Sequence, residues 1–273
     1  TLADVAAVAR GGRLVELDEE AVKRVEASSA AVREWENSDD VVYGITTGFG
    51  DLASVNISKK DRRQLQENLL KSHACGMGEP FPGDITRAMM LLRVNSLIRG
   101  SSGISLDVLN QYVAFLNMKI HPRVPCQGSV GASGDLCPLS HLALPLIGYG
   151  EVEYKGRMMP AAEALAKAGL EPVQLGAKDG LALNNGTASM GAMAVLALLD
   201  AENLAKTADI AAAISLEALH GVPYAFDERT HALRPHDGQG RVARNIRRLI
   251  EGSEIIERYK SGRVQDAYSL RCV

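Results

Sequence analysis

A mainly α-helical fold is predicted for this chain of 273 residues. Three observations carry that expectation. Apolar residues recur at helical spacing along most of the chain, strand-like alternation is confined to a few short runs, and from Leu181 onward the sequence turns rich in Ala and Leu, as in long packed helices. With 46% hydrophobic and 23% charged residues, there is ample material for the core of one large domain or two.

The elements follow in order. Asp18 is placed to cap a helix running to about Trp35, and Val41 to Ile45 reads as extended. Ser58 and Asp61 have the spacing of a capping box, opening a helix to about Ala74. Pro82 suits a first helical position, with the helix ending at Arg99 before Gly100, and a further helix is expected from Ser105 to Met118. Between His121 and Asp135 the residues Pro122, Pro125, Gly128, Gly131 and Gly134 forbid a regular helix, so a loop of special geometry is expected. Glu151 to Met158, with Lys155-Gly156 at its middle, reads as a hairpin. Leu181 to Leu199 is an uncharged run of 19 residues, long enough to raise a membrane span. Asn184, Asn185, Thr187 and Ser189 cluster in its first half and would be costly in lipid, so a buried helix is expected instead.

Composition excludes several classes of function. Thirty Lys and Arg against 33 Asp and Glu leave a formal charge of −3, which offers no field for nucleic acid or an anionic membrane. Cys75, Cys126, Cys137 and Cys272 show no CxxC spacing, and His121, His141, His220, His231 and His236 show no HExxH spacing, so no metal site is expected. Reduced thiols and the lack of a signal-peptide pattern point to the cytoplasm. Gly48-x-Gly50-x-x-Ala53 matches a dinucleotide fingerprint, but the next helix signal waits until Ser58, so the strand–turn–helix context fails. Arg241, Arg244, Arg247 and Arg248 lie at helical spacing and read as a solvated face.

The chemistry sits in the special loop. If the amide nitrogen of Gly134 attacks the carbonyl of Ala132, a five-membered ring closes, and loss of two waters, one from the Ser133 side chain, leaves an exocyclic methylidene on an imidazolone. Glycine permits the close backbone approach, alanine leaves the carbonyl uncrowded, and serine supplies the hydroxyl that is lost. Alone, Ala-Ser-Gly reads as an ordinary turn.

Its surroundings decide otherwise. Gly128 to Gly148 closely resembles the signature of the ammonia-lyases and aminomutases that use a methylidene-imidazolone group (MIO) formed autocatalytically from Ala-Ser-Gly. Further matches are Tyr43-Gly44-Ile45-Thr46-Thr47-Gly48-Phe49-Gly50, Ser72-His73-Ala74, Asn185-Gly186-Thr187 and Gln265-Asp266-Ala267-Tyr268-Ser269-Leu270-Arg271-Cys272, collinear over nearly the whole chain. The resemblance implies a fumarase/aspartase-like fold, with a loop-bearing domain over residues 1–178 and the beginning of a central helical bundle over 179–273. Members of the family are considerably longer homotetramers whose active sites are shared among subunits. Residues 1–273 are therefore expected to be an N-terminal half that alone is oligomeric or aggregation-prone and nearly inactive.

The reaction implied is removal of ammonia from an aromatic α-amino acid to give the trans-α,β-unsaturated acid, with no metal and no nucleotide. The amine is a poor leaving group and the β-proton is weakly acidic, which explains the need for an electrophile and a positioned base. Tyr43, in a glycine-rich segment suited to a lid, is the expected base. Ala132, Ser133 and Gly134 form the electrophile, and Asp135 either assists ring formation or caps the helix from Leu136. Arg271 grips the substrate carboxylate, Tyr268 and Gln265 stand near substrate and MIO, and Asn185 stands near the amino group. His73 matches the position that contacts the substrate ring, where histidine goes with imidazole or phenol. Thr46-Thr47 leans toward the tyrosine and phenylalanine enzymes, while Ala267, the Asn184-Asn185 pair and Ala188 depart from the usual histidine-enzyme pattern. Tyrosine and histidine therefore stand level as substrates, with phenylalanine third. A 2,3-aminomutase and a catalytically silent binding member are the alternatives.

Overall fold

The computed structural model describes residues 1–38 and 40–272. They separate into two compact units, Thr1–Leu196 and Ala197–Val273, so the division expected at residue 178 falls inside the first.

The first unit opens with α1 (Leu2–Ala9), a helix the sequence reading does not single out, held by a Thr1–Asp4 capping box. Helix α2 (Glu19–Asn37) follows with the Asp18 carboxylate accepting from the Ala21 N–H, as expected. The segment Val41–Ile45 is not extended. The Thr46 hydroxyl accepts from the Val42 N–H at 2.8 Å and donates to the Asp40 carbonyl at 2.7 Å, folding these residues into turns with Gly44 at φ +72°. Helix α3 (Lys59–His73) starts after Ser58, but no capping box forms, because the Ser58 hydroxyl donates to the Asp61 carboxylate at 2.6 Å instead of accepting from a helix N–H.

Strand β1 (Met77–Pro80), α4 (Gly83–Leu97) and α5 (Leu106–Met118) come next, with Pro82 as the N-cap of α4 rather than its first residue. Strands β2 (His121–Pro122) and β3 (Pro125–Gln127) flank a bend before the special loop, and α6 (Leu136–Ala143) leaves it. β1 pairs antiparallel with β3, while β2 joins the hairpin β4 (Glu151–Tyr154) and β5 (Arg157–Pro160) in a three-stranded sheet. Lys155 and Gly156 turn that hairpin with φ of 53° and 73°, the twist that right-handed strands accept. After α7 (Ala161–Ala168), the 19-residue uncharged run is cut in two, as α8 (Asp179–Asn184) stops at Asn185 and α9 (Ala188–Ala218) begins. By length and composition residues 179–218 could cross a membrane; 44% of their apolar window is buried in the protein, and the buried Asn184 amide bonds the Ser140 hydroxyl at 3.2 Å.

Helices α3, α6 and α8 pack on one another, and α4 packs on α1, α5 and α6. Their shared core contains Leu70, Met89, Met90, Tyr112, Phe115, Leu139 and Leu142, all fully buried. The second unit holds the remainder of α9 with α10 (Glu228–Ala232), α11 (Asp237–Leu249), α12 (Glu254–Tyr259) and α13 (Tyr268–Arg271) around Ala213, Leu216, Phe226, Ala243, Ile246 and Ile256. Arg241, Arg244 and Arg248 are exposed on α11 as expected, whereas Arg247 donates to the Phe226 carbonyl at 2.6 Å.

Asp179 ties α8 to the start of α5. Its carboxylate accepts from the Ser105 N–H and the Gly176 N–H, each at 2.8 Å, and from the Ser105 hydroxyl at 3.0 Å. Burial pushes its pKa from the usual 3.8 up to about 6, against the lowering effect of those hydrogen bonds. The folded state thus holds a proton that the unfolded chain has released. This contribution to stability is complete below 3.8 and is lost as pH rises through about 6. Asp179→Asn, neutral throughout, should remove part of the fall in unfolding free energy across that window, as measured by denaturant titration at several pH values; an unchanged pH profile would return Asp179 to an ordinary surface carboxylate in behaviour.

Candidate active site

The special loop is fixed at both ends and open at its middle. A Cβ on Gly128 would stand 2.6 Å from the Cys137 sulfur and 3.1 Å from the Gly76 Cα, so the loop enters pressed against α6 and the segment after α3. At its exit Gly134 has φ +77°, a backbone that favours glycine, and a Cβ there would force the Ser129 hydroxyl to turn away. Between these points Ala132 is exposed and Ser133 half-buried, with the Ser133 hydroxyl accepting from the Asp135 N–H at 3.2 Å.

Asp135 is buried, and its carboxylate serves a different helix from the one expected. It makes no cap to α6, which begins at Leu136; it reaches instead to the start of α9, accepting from the Ser189 N–H at 2.7 Å and the Met190 N–H at 3.2 Å. Helix ends leave such donors unpaired, and a carboxylate also suits the positive end of the helix dipole. Burial pushes the Asp135 pKa up, opposed by the two backbone N–H groups and by the Arg93 charge. The loop exit and the Asn185-Gly186-Thr187 motif, 50 residues apart in sequence (185 − 135), are thereby brought together.

Arg93 on α4 completes this junction and is the residue that sequence reasoning misses. Its signal was available, since it is a lone charge in the apolar run Met89-Met90-Leu91-Leu92-Arg93-Val94. The buried guanidinium donates through Nη2 to the Ala182 carbonyl and, at 2.9 Å, to the Asn185 carbonyl.

His73 ends α3, with Nδ1 at 2.9 Å from the Leu69 carbonyl and 3.1 Å from the Ser72 hydroxyl. A carbonyl only accepts, so Nδ1 carries the proton and Nε2 is left as an acceptor. The backbone just beyond it is held by His141, whose Nε2 accepts from the Gly76 N–H at 2.9 Å; burial, and then the Arg123 charge, lower the His141 pKa and keep that nitrogen free of a proton. Because Gly76 touches the base of the loop at Gly128, the His73 segment and the loop share one support. Tyr43 lies in the turns before η residues Gly50–Leu52, half exposed, its ring edge-on to Phe49 at 6.2 Å and its oxygen accepting from the Gly50 N–H at 3.4 Å. Neighbouring Gly44 abuts Leu181 of α8, as a Cβ there would stand 2.8 Å from the leucine methyl. Tyr43, His73, the tripeptide with Asp135, and Asn185 are thus all carried by elements that contact one another within the first unit.

The remaining expected residues lie in the second unit, Tyr268 and Arg271 on α13 and Gln265 just before it. The Arg271 guanidinium stacks on the Tyr268 ring at 4.2 Å, and the Gln265 amide, turned so that its oxygen faces the guanidinium, accepts from Arg271 Nη2 at 2.9 Å. Asp266 is buried beside them, capturing the Val222 N–H. Ala267 has φ −64°, a value proline also adopts, so the departure from the proline of related sequences changes no backbone geometry here. Among the described residues no three His, Cys, Asp or Glu side chains are grouped to hold a metal ion.

Removing the Asp135 carboxylate strands the α9 donors and leaves Arg93 without its buried counter-charge. Asp135→Ala should therefore lower unfolding free energy by about 2 kcal/mol, read by denaturant titration. A loss under about 0.5 kcal/mol would mean that water replaces the carboxylate at the helix end.

Comparison with known proteins identifies the family. The family model described as Aromatic amino acid lyase matches residues 1–273. A histidine ammonia-lyase of Clostridium tetani is 51% identical over all 273 residues, which cover 53% of its length. Among solved structures, ergothionase of Treponema denticola superposes with a TM-score of 0.91 at 34% identity, covering 100% of this chain and 55% of that one. A histidine ammonia-lyase of Trypanosoma cruzi gives 0.87 at 37% identity, covering 100% and 51%. The chain spans about half the length of the relatives it matches. The expected fumarase/aspartase-like helical class is the fold of these neighbours. With its full-length family match and the junction of Asp135, Arg93 and the Asn185 motif behind the tripeptide loop, the chain belongs to the aromatic amino acid lyase family.

Proposed function

We propose that this protein eliminates ammonia from L-histidine to give the trans-α,β-unsaturated acid, using an MIO group formed from Ala132, Ser133 and Gly134, and that it works as a homotetramer with shared active sites. The observation that carries the choice of histidine is the 51% identity, over every residue of the chain, to a histidine ammonia-lyase. The tyrosine and phenylalanine preferences weighed from Thr46-Thr47 find no support at that level of identity. The departures at Asn184 and Ala267 have local explanations, one as a buried amide bonded to Ser140 and the other as a proline-compatible cap.

The residues fit the group. Gly134 has the positive φ that favours glycine, Ala132 is open to solvent, and both loop flanks are braced. When formed, the group supplies an electrophilic carbon for the substrate amine. The chain's own residues do the rest. In this reading the Tyr43 oxygen takes the β-proton, and Asn185 holds the amino end. Arg271, presented flat by Tyr268 and Gln265, binds the carboxylate bidentately. His73 Nε2, an acceptor because Nδ1 is committed to the Leu69 carbonyl, takes the N–H of the substrate imidazole.

Three measurements on the whole gene product test this. Its intact mass should fall below the encoded mass by two waters, about 36 Da, and Ser133→Ala should keep the encoded mass with its substitution and lose nearly all turnover. Full activity in that variant would end the proposal. Tyr43→Phe should lower kcat at least ~10²-fold with the mass loss still present; a mild effect would reassign the base. His73→Phe should shift kcat/KM from histidine toward phenylalanine, since phenyl cannot accept from an imidazole N–H, and an unaltered ranking would make His73 structural.

A further inference from the structure

We propose that Arg93 is a positioning residue of this site, setting the backbone of Asn185-Gly186 and, through it, the Asn185 side chain; its catalytic consequence rests on the lyase reading above.

Arg93 is 4% exposed in the middle of α4, and burial alone pushes its pKa down, opposed by the charge of Asp135. A buried cation needs acceptors, and those it finds are the Ala182 and Asn185 carbonyls. Both lie at the end of α8, where a helix leaves carbonyls unpaired and its dipole is negative. The guanidinium thus takes the place of the next helical turn. Asn185 departs from helical geometry at φ −96°, ψ 103°, with its carbonyl fixed by Arg93.

Gly186 gives independent support. Its φ does not lie in the left-handed region, so conformational freedom is not the reason for glycine there. A Cβ at Gly186 would overlap Arg93 Nη1, a group that cannot swing aside because Nη2 is bonded to two carbonyls. The motif Asn185-Gly186 is shaped around the guanidinium. Arg93 Nε, the Tyr112 hydroxyl and Asn184 Oδ1 are buried without a protein hydrogen-bond partner. Apolar residues of similar volume would serve a purely structural purpose at lower cost. What the arginine provides, and an apolar residue could not, is a fixed direction for the Asn185 carbonyl and hence for its side chain.

The test combines exchange and kinetics in the whole gene product. Arg93→Lys keeps the charge but has no fork to span two carbonyls. Amide hydrogen exchange at residues 185–190 should accelerate at least about tenfold while α4 keeps its protection, and an unchanged rate at 185–190 would overturn the proposal. For histidine, kcat should fall about tenfold or more with KM changed by less than about threefold, and Arg93→Lys combined with Asn185→Ala should be no slower than Asn185→Ala alone. Additive losses in that cycle would show that Arg93 does not act through Asn185. If Arg93→Lys fails to fold, Gly186→Ala decides, since it crowds the guanidinium without removing it. A comparable kcat loss supports the proposal, and wild-type kcat overturns it. A wild-type protein that deaminates no aromatic amino acid would overturn the lyase reading, and the exchange comparison would still decide whether Arg93 sets this backbone.

Discussion

Two helices break head to tail inside the first unit, and the break is held by one buried carboxylate and one buried guanidinium. Where α8 ends, carbonyls lack helical donors, and where α9 begins, N–H groups lack helical acceptors. Arg93 supplies the donors and Asp135 the acceptors, each also matching the sign of the local helix dipole. Burial penalises both charges and their mutual attraction offsets part of that penalty.

The loop that bears the tripeptide inherits its geometry from the same junction. Asp135 is its last residue, so the carboxylate that organises α9 also anchors the loop exit, while Gly128 pressed on Gly76 and Cys137 anchors the entrance. The ring closure proposed above between Gly134 and Ala132 would need such bracing, because the chain must be bent before the chemistry begins. His141 extends the bracing to the end of α3 by holding the Gly76 N–H, placing His73 on the same rigid support as the loop. The end of α3 and the loop entrance are in this way joined through short backbone contacts.

The second unit presents a different character. Leu204, Ile214 and Leu233 are well exposed and Val264 is fully so. The unit also carries the Gln265, Tyr268 and Arg271 set, where stacking on tyrosine and an amide oxygen fix the orientation of the guanidinium.

The sequence by itself determined the helical class, the hairpin at Lys155-Gly156 and the Asp18 cap, because these depend on residues close in the chain: a periodicity, a turn type, a cap. Only the tertiary structure decided that Val41–Ile45 is turned by the Thr46 hydroxyl, that Ser58 spends its hydroxyl on Asp61, and that Asp135 serves α9 rather than α6. In each case a side-chain oxygen had more than one partner within reach, and local spacing does not rank them. Arg93 is the extreme case. A lone arginine in an apolar run signals a buried charge, but its acceptors lie 89 and 92 residues away along the chain, and only folding of α4 beneath the end of α8 identifies them.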